Sequence, residues 1–461
     1  MQAGGNGDRA LPAMRLSRGT RLALGALALV GVSASAIAGW IVWRLGPIGS
    51  AYAAKTACTG VFVSGRTADE VYDVDVVADN HPLLALTRVR VDTGNAAVHA
   101  DFAGLRPRHA QYLPGRGCTL EGAAVNAPLS PMTVAAAIAQ APDPVVQGVL
   151  DRVLSDPGPR TRALAVMHGG RLVAQGYAPG FAADTALPGW SMSKTMTAVL
   201  AGIAVGRGVL HLGTTALLPQ WADDGRRDIA LEHLLRMTDG LAFDEDPANP
   251  LSDAVAMLLL APDAAGFAAA KPLRATPGST WRYSSGSSNV LMRVVADALG
   301  YPGATAAAVA REVLFQPLGM DSAVVEPDLS GLPVGSSFMH ASAHDWLRFG
   351  QFLMQDGVWD GVRVLPEGWV RTMRRPTPAS GAQAFGAHVW LRVPDSYAGP
   401  ARASRPLPAD AFHAIGHEGQ FMSIIPSRGL VVLRLGLTRP PHRWNHQAFL
   451  ADVLDALAPA R

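Results

Sequence analysis

GWSMSKTMTAVLAG, residues 189–202, holds the lysine on which the reading of this chain turns. Lysine and arginine together number 39, yet only Lys55, Lys194 and Lys271 are lysines, so arginine is the default cation. At a solvated position the two side chains serve alike. A guanidinium cannot lose its proton, whereas an amine can when burial or a second cation disfavours its charge. Ser191 stands three residues before Lys194, which puts both side chains on one face of a helix beginning near Ser191. A hydroxyl at a helix start lies beside free backbone N–H groups and the positive dipole end, and a neutral amine within reach is its base. The pattern predicts a serine nucleophile activated by lysine.

Two later stretches extend it. WRYSSGSSNVLMRVV, residues 281–295, sets Tyr283 in a Ser/Gly-rich loop before an apolar helical run, and IGHEGQFMSIIP, residues 415–426, sets His417, Gly419 and Gln420 where a strand begins. The order S-x-x-K, Y-S-x, H-x-G resembles the serine β-lactamase and penicillin-binding-protein superfamily, in its class C-like branch of esterases, D-amino-acid peptidases and 6-aminohexanoate-oligomer hydrolases. The segments at 230–241, 317–323 and 344–359 are similar to that branch's connecting segments. The likeness covers roughly residues 140–460.

This resemblance implies that Ser191 is the acylated nucleophile, Lys194 its partner and Tyr283 the proton shuttle to the leaving group. The backbone N–H groups of Ser191 and Gln420 form the implied oxyanion hole, with Ser285 and Gly419 at the substrate. Either deprotonated Tyr283 or neutral Lys194 could be the base. Two positions depart from the family: Ser285 replaces the Y-x-N asparagine, and His417 replaces the K-T-G lysine that would hold a substrate carboxylate. The second departure points away from an efficient β-lactamase and toward a neutral ester or amide. No metal or organic cofactor is expected. The rivals are a ligand-binding or sensor module on the same fold and a penicillin-binding carboxypeptidase.

The rest of the chain supplies the setting. Hydrophobic residues make up 49% and charged ones 16%, with a formal net charge of +2, which excludes both a disordered chain and an electrostatic nucleic-acid binder. Residues 22–43, LALGALALVGVSASAIAGWIVW, carry no charge and are long enough to cross a bilayer. Arg9, Arg15, Arg18 and Arg21 precede this run against Arg44 and Lys55 after it, placing residues 1–21 in the cytoplasm and the remainder outside, in the periplasm or beyond. A cleaved signal peptide ending near Ala36-Ile37-Ala38 is the alternative. Cys58 and Cys118, the only cysteines, are expected to form a disulfide in that oxidising space.

Residues 44–125 read as a small β-rich module: GVFVSG, then two alternating runs about Gly94-Asn95. Residues 126–461 read as the hydrolase domain. A helix is predicted over 143–155 with Asp143 as cap, strands flank Gly169-Gly170, a hairpin follows from Gln420, and an amphipathic helix closes the chain. Strands at both ends of this domain and helices between them predict an α+β fold, with one antiparallel sheet joining the ends, helices on its faces and a helical lobe inserted.

Several signals are set aside. GWSMS lacks the last glycine of G-x-S-x-G, and HEGQF has Phe421 where a zinc helix needs its second histidine. His442 and His446 are expected to cap and solvate the last helix. Asp244, Glu245 and Asp246 read as a surface turn, with a place on the substrate rim open to them.

Overall fold

The computed structural model describes residues 17–122, 129, 132, 136–246, 248–399 and 401–458. Arg9, Arg15 and the 125/126 module boundary therefore lie outside the described residues.

Helix α1 spans Arg18–Arg44, slightly beyond the apolar run, with the Ser17 hydroxyl accepting from the Thr20 N–H as its N-cap. It is apolar all round and, from Leu22 to Trp40, exposed all round: Leu22 is 72% exposed and Val32 68%. Among the described residues it is the one helix long and apolar enough to cross a membrane. A second helix, α2 (Gly46–Cys58), follows at once with Pro47 in its first turn. Its composition, GPIGSAYAAKTAC, is mostly small residues, which let it lie close on an antiparallel sheet of β1 (Thr87–Asp92), β2 (Ala97–Phe102), β3 (Leu105–Leu113) and β4 (Gly117–Leu120). A methyl added at Gly49 would stand 3.2 Å from the Phe102 ring. Cys58 and Cys118 are disulfide-bonded in the core of this unit.

One expectation fails here. GVFVSG is not a strand: Thr59–Val63 continues α2 as a widened helical turn. Gly60 packs against Val71 so closely that a methyl there would lie 2.6 Å from its side chain, which leaves no room for an extended, side-chain-bearing ribbon.

The main sheet has five strands, ordered Phe412–Gly416, Gln420–Ile425, Leu430–Gly436, β5 (Thr161–His168) and β6 (Arg171–Tyr177), all antiparallel. It thus joins the two ends of residues 140–458. Strand alternation splits two cores: Ala163, Ala165 and Met167 face the helices Ser193–Gly206 and Ala343–Met354, while Leu164 and Val166 face the helices Pro144–Ser155 and His446–Ala456. Between β6 and Phe412 the chain is largely helical, with only two-to-three-residue strands. Asp143 caps its helix as expected, accepting from the N–H groups of Val145 and Val146.

The last helix differs from expectation in its caps. Asn445 is the N-cap, and His446 is buried, stacked 3.8 Å from the Phe421 ring with Nε2 2.8 Å from Ser423 Oγ. Burial drives its pKa well below the ordinary value, so it is a neutral core residue. His442 instead pairs with Asp79, at 3.2 Å.

Candidate active site

Ser191 lies in a tight 3₁₀ turn, Trp190–Met192, that feeds the helix Ser193–Gly206. Gly189 must be glycine, because a methyl there would meet the Trp346 ring at 2.3 Å. Its N–H donates to the Met339 carbonyl, and Ser193 Oγ donates to the Trp190 carbonyl at 2.6 Å while accepting from the Met339 N–H at 3.0 Å. Ser193, the residue that spoils the G-x-S-x-G match, is thus a pin that holds the Ser191 turn.

Lys194 is one helical turn on and 2% exposed. Its Nζ lies 2.9 Å from Ser191 Oγ, 3.0 Å from Ser285 Oγ and 3.0 Å from the Ser336 carbonyl. Burial pulls the amine down to about 8, against the opposing pull of Glu245. In its neutral form the amine has a lone pair free to accept the Ser191 proton while still donating to two neighbours.

Ser285 and Glu245 complete the chain of polar groups. Ser285 Oγ donates to Glu245 Oε1 at 2.6 Å, and the Ser285 N–H donates to Glu245 Oε2 at 2.6 Å. Burial raises the Glu245 carboxyl pKa and Lys194 lowers it, with the net shift upward. The surface-turn reading of this acidic stretch is therefore corrected at its middle residue: Asp244 and Asp246 are exposed, but Glu245 turns inward. Ser285 stands inside the lysine network, a position the substrate-contact reading did not anticipate.

Tyr283 sits over the same amine, with Lys194 Nζ 4.9 Å from its ring centroid. Its ring stacks on Trp390 at 5.6 Å and meets Phe385 edge-on at 5.9 Å. Burial and the Glu245 charge raise its pKa far above the ordinary value, and hydrogen bonding with Ser191 only partly offsets them. Of the two candidate bases, these shifts favour Lys194 and leave Tyr283 a neutral donor and acceptor.

The H-x-G segment forms a turn rather than a plain strand start. Glu418 (φ 61°) and Gly419 (φ 81°) are both left-handed, and a methyl on Gly419 would lie 2.3 Å from the Arg434 guanidinium. Gln420 then opens its strand, its side chain tied to Gly436 by two hydrogen bonds of 2.7 and 2.9 Å. Gly416, on the paired strand, packs so tightly on the Gly189 carbonyl that a methyl would lie 2.1 Å away, which brings this edge against the Ser191 turn. His417 is exposed and edge-on to Trp190, at 5.6 Å; among the described residues it has no hydrogen bond to Ser191, Lys194 or Tyr283.

Sequence reasoning missed one arrangement altogether. Trp190, immediately before Ser191, has φ 48°, a conformation a bulky residue rarely adopts. Its indole N–H donates to Glu418 Oε2 at 3.0 Å, and Arg439 pairs with the other oxygen. Arg439 in turn donates to the carbonyls of Ala78 and Asp75 and to Tyr52 of α2. The residues between 44 and 122 are therefore bolted to the Ser191 turn. A second buried bridge runs from Lys55 to Glu326, which also accepts from Thr59 Oγ1 and the Cys118 N–H and faces His340. The third joins Asp75 to Arg162 and Arg66.

Ser191, Tyr283, Ser285, Trp390 and His417 line one cavity of about 900 Å³. The cations on its wall, Lys55, Arg66, Arg162 and Arg439, are each paired with a carboxylate.

Residues 150–453 match the family model described as Beta-lactamase. The 6-aminohexanoate-dimer hydrolase of Paenarthrobacter ureafaciens is 24% identical over 229 residues, covering 46% of this chain and 57% of the relative, so the match spans little more than half of that protein. Solved structures share the fold, two of them as follows. EstCE1, a hydrolase with promiscuous acyltransferase activity, is 20% identical with a TM-score of 0.53, covering 68% of this chain and 97% of its own. A penicillin-binding-protein homologue from Caulobacter crescentus is 18% identical with a TM-score of 0.52, covering 70% and 98%.

Proposed function

Because this chain belongs to the Beta-lactamase family, as a serine-hydrolase-type enzyme of its class C-like branch, we propose that it cleaves a neutral ester or amide through an acyl-enzyme on Ser191. The observation that carries the reading is the buried Lys194 amine, 2.9 Å from Ser191 Oγ and brought by burial to about 8. Neutral Lys194 takes the Ser191 proton as Oγ attacks the carbonyl. The oxyanion settles against the N–H groups of Ser191 and Gln420. Tyr283, neutral and hydrogen-bonded to Ser191, passes its proton to the departing alcohol or amine and takes back the one Lys194 received, so that both groups return to their starting forms. Water then repeats the sequence on the acyl-enzyme, returning free acid and Ser191.

The preference for a neutral substrate rests on the cavity wall, whose cations are already paired, and on His417 at the position of the family's carboxylate-binding lysine. Ser285 holds Lys194 and Glu245 in register, and Gly419 gives the turn that presents Gln420. We read residues 126–461 as the hydrolase domain and residues 44–125 as a module, its described part 44–122 fixed against that domain, with α1 a single-pass anchor that leaves the active site on the extracytoplasmic side. Apolar residues on every face of an exposed helix support the anchor.

Hydrolysis of p-nitrophenyl esters, their anilide counterparts and a cephalosporin by the full chain, with Ser191→Ala as control, tests the reading. Ester or anilide turnover that the control loses supports it; turnover of the cephalosporin alone, or turnover that the control retains, overturns it.

A further inference from the structure

The cavity does not end at the hydrolase domain. Leu45, Ile48, Gly49, Tyr52, Thr56 and Thr59 all line it, together with Lys55. These positions recur at intervals of three and four residues, so one face of α2 borders the cavity along its whole length. Near the nucleophile, Lys55 Nζ lies 4.5 Å from the Phe338 ring centroid, and Phe338 packs on Trp190 at 6.2 Å. Leu45 is ten residues earlier, roughly 15 Å along the helix axis. The stripe is polar at Tyr52, Lys55, Thr56 and Thr59 and apolar at Gly49, Ile48 and Leu45, where Leu83, Leu84 and Phe102 join the wall.

Leu45 is also the residue that ends α1, its N–H donating to the Ile41 carbonyl. The apolar end of the cavity therefore abuts the last turn of the apolar helix. The surface around that turn has the composition of a bilayer contact. Trp43 is 66% exposed with the Arg106 guanidinium 3.9 Å over its ring; Leu86, just before β1, is 48% exposed, and Leu105, at the tip of the β2–β3 hairpin, is 54% exposed. Arg88 is exposed beside the same hairpin tip, its guanidinium 3.8 Å from where a methyl on Gly104 would stand. Exposed Leu and Trp side by side with arginines suit the boundary between acyl chains and anionic headgroups.

We propose that the face of α2 is one wall of an acyl-chain channel, and that the substrate is an amphiphilic ester or amide whose tail enters from the bilayer beside Leu45 while its carbonyl reaches Ser191. The inference rests on the serine-hydrolase reading and on α1 as an anchor, and it names the substrate class for that site. The polarity of the stripe matches such a molecule end for end, with the polar carbonyl toward Lys55 and Thr59 and the tail toward Ile48. It also gives the 44–122 unit a function: without α2 the channel loses a wall.

The test uses the full chain reconstituted in vesicles. The ratio of kcat/KM for p-nitrophenyl dodecanoate to that for the acetate is measured for the wild type, Ile48→Trp and Leu45→Trp, with fluorophosphonate labelling of Ser191 confirming that each variant is folded. A fall in the ratio by about tenfold in either labelled variant, as displacing roughly two buried methylenes would produce, is expected. A ratio unchanged in both overturns the channel. A fluorogenic long-chain ester confined to vesicles separates the bilayer from free solution as its source. Hydrolysis that requires enzyme and ester in the same vesicle is expected, and equal rates from separate vesicles overturn bilayer entry. Should no ester be hydrolysed and Ser191 stay unlabelled in the wild type, the hydrolase reading fails by itself. Binding of a dansyl-labelled alkyl amide to the Ser191→Ala protein then decides the channel: binding that Ile48→Trp weakens about tenfold upholds it, and binding it leaves alone overturns it.

Discussion

Replacing Glu245 with glutamine isolates the electrostatics of the lysine. With its amine at about 8, only about one Lys194 in eleven is neutral at pH 7, so turnover rises with pH and levels off above that value. Glu245 is the charge that opposes this, reaching Lys194 through the Ser285 hydroxyl over hydrogen bonds of 3.0 and 2.6 Å. Two charges so joined lie about 6 Å apart, and at the effective dielectric of a partly buried site they interact by about 3 kcal/mol. Glu245→Gln removes the charge with little change of shape. The acid limb of the kcat/KM profile should then move to lower pH, by up to about two units. The assay is ester hydrolysis across the pH range, with His417→Gln measured in parallel. An acid limb that stays in place in Glu245→Gln but moves in His417→Gln would refute the lysine as the titrating base.

Other outcomes follow from the same contacts. Glu418→Gln weakens the hold on the left-handed Trp190 and should lower kcat with little change in KM, most plainly for short esters, in steady-state kinetics. Burial alone would raise the Glu326 carboxyl, but Lys55 and His340 outweigh it and hold it at about 2 against an ordinary 4.5. A depressed folded-state value stabilises above the unfolded one and is lost as pH falls through the folded one. Urea unfolding should therefore show on the order of 3 kcal/mol disappearing between pH 4.5 and 2, absent in Glu326→Gln. Lys55→Met leaves that carboxylate without its amine and should lower the thermal midpoint at pH 7, a loss of about 3 kcal/mol. Reducing the Cys58–Cys118 bond opens a loop with a sequence separation of 60 and should cost the 44–122 unit up to about 4 kcal/mol in denaturant titrations.

Much of the fold was legible where periodicity is plain. The strands about Gly169-Gly170 and Gly94-Asn95, the hairpin after Gln420 and the Asp143 cap all form where alternation and turn chemistry place them. Helix α2 was not, because alanine, glycine and serine carry almost no hydrophobic contrast, and its two working faces appear only once the sheet and the cavity are in place. The Gly60–Val71 contact that turns GVFVSG into a helical turn is equally a tertiary fact.

The site divides in the same way. The scarcity of lysine singled out Lys194, yet each of the three lysines has a dedicated carboxylate or hydroxyl partner: Lys55 with Glu326, Lys271 with Asp253 at 2.6 Å, Lys194 with Ser191 and Ser285. Scarcity marks a lysine with a task without saying which task. Glu245, Glu418 and Trp190 left no local signal, since an acidic turn and a tryptophan before a serine read the same whether they point out or in. What sets their direction is the long-range contact with Ser285 and Arg439.

The most direct test of the central claim is intact-mass spectrometry of the full chain after exposure to a fluorophosphonate, with Ser191→Ala, Lys194→Arg and His417→Ala alongside. The account predicts a single adduct on Ser191, lost in Ser191→Ala, slowed by about a hundredfold or more in Lys194→Arg and retained in His417→Ala. An adduct that forms at the wild-type rate in Lys194→Arg but vanishes in His417→Ala would contradict it.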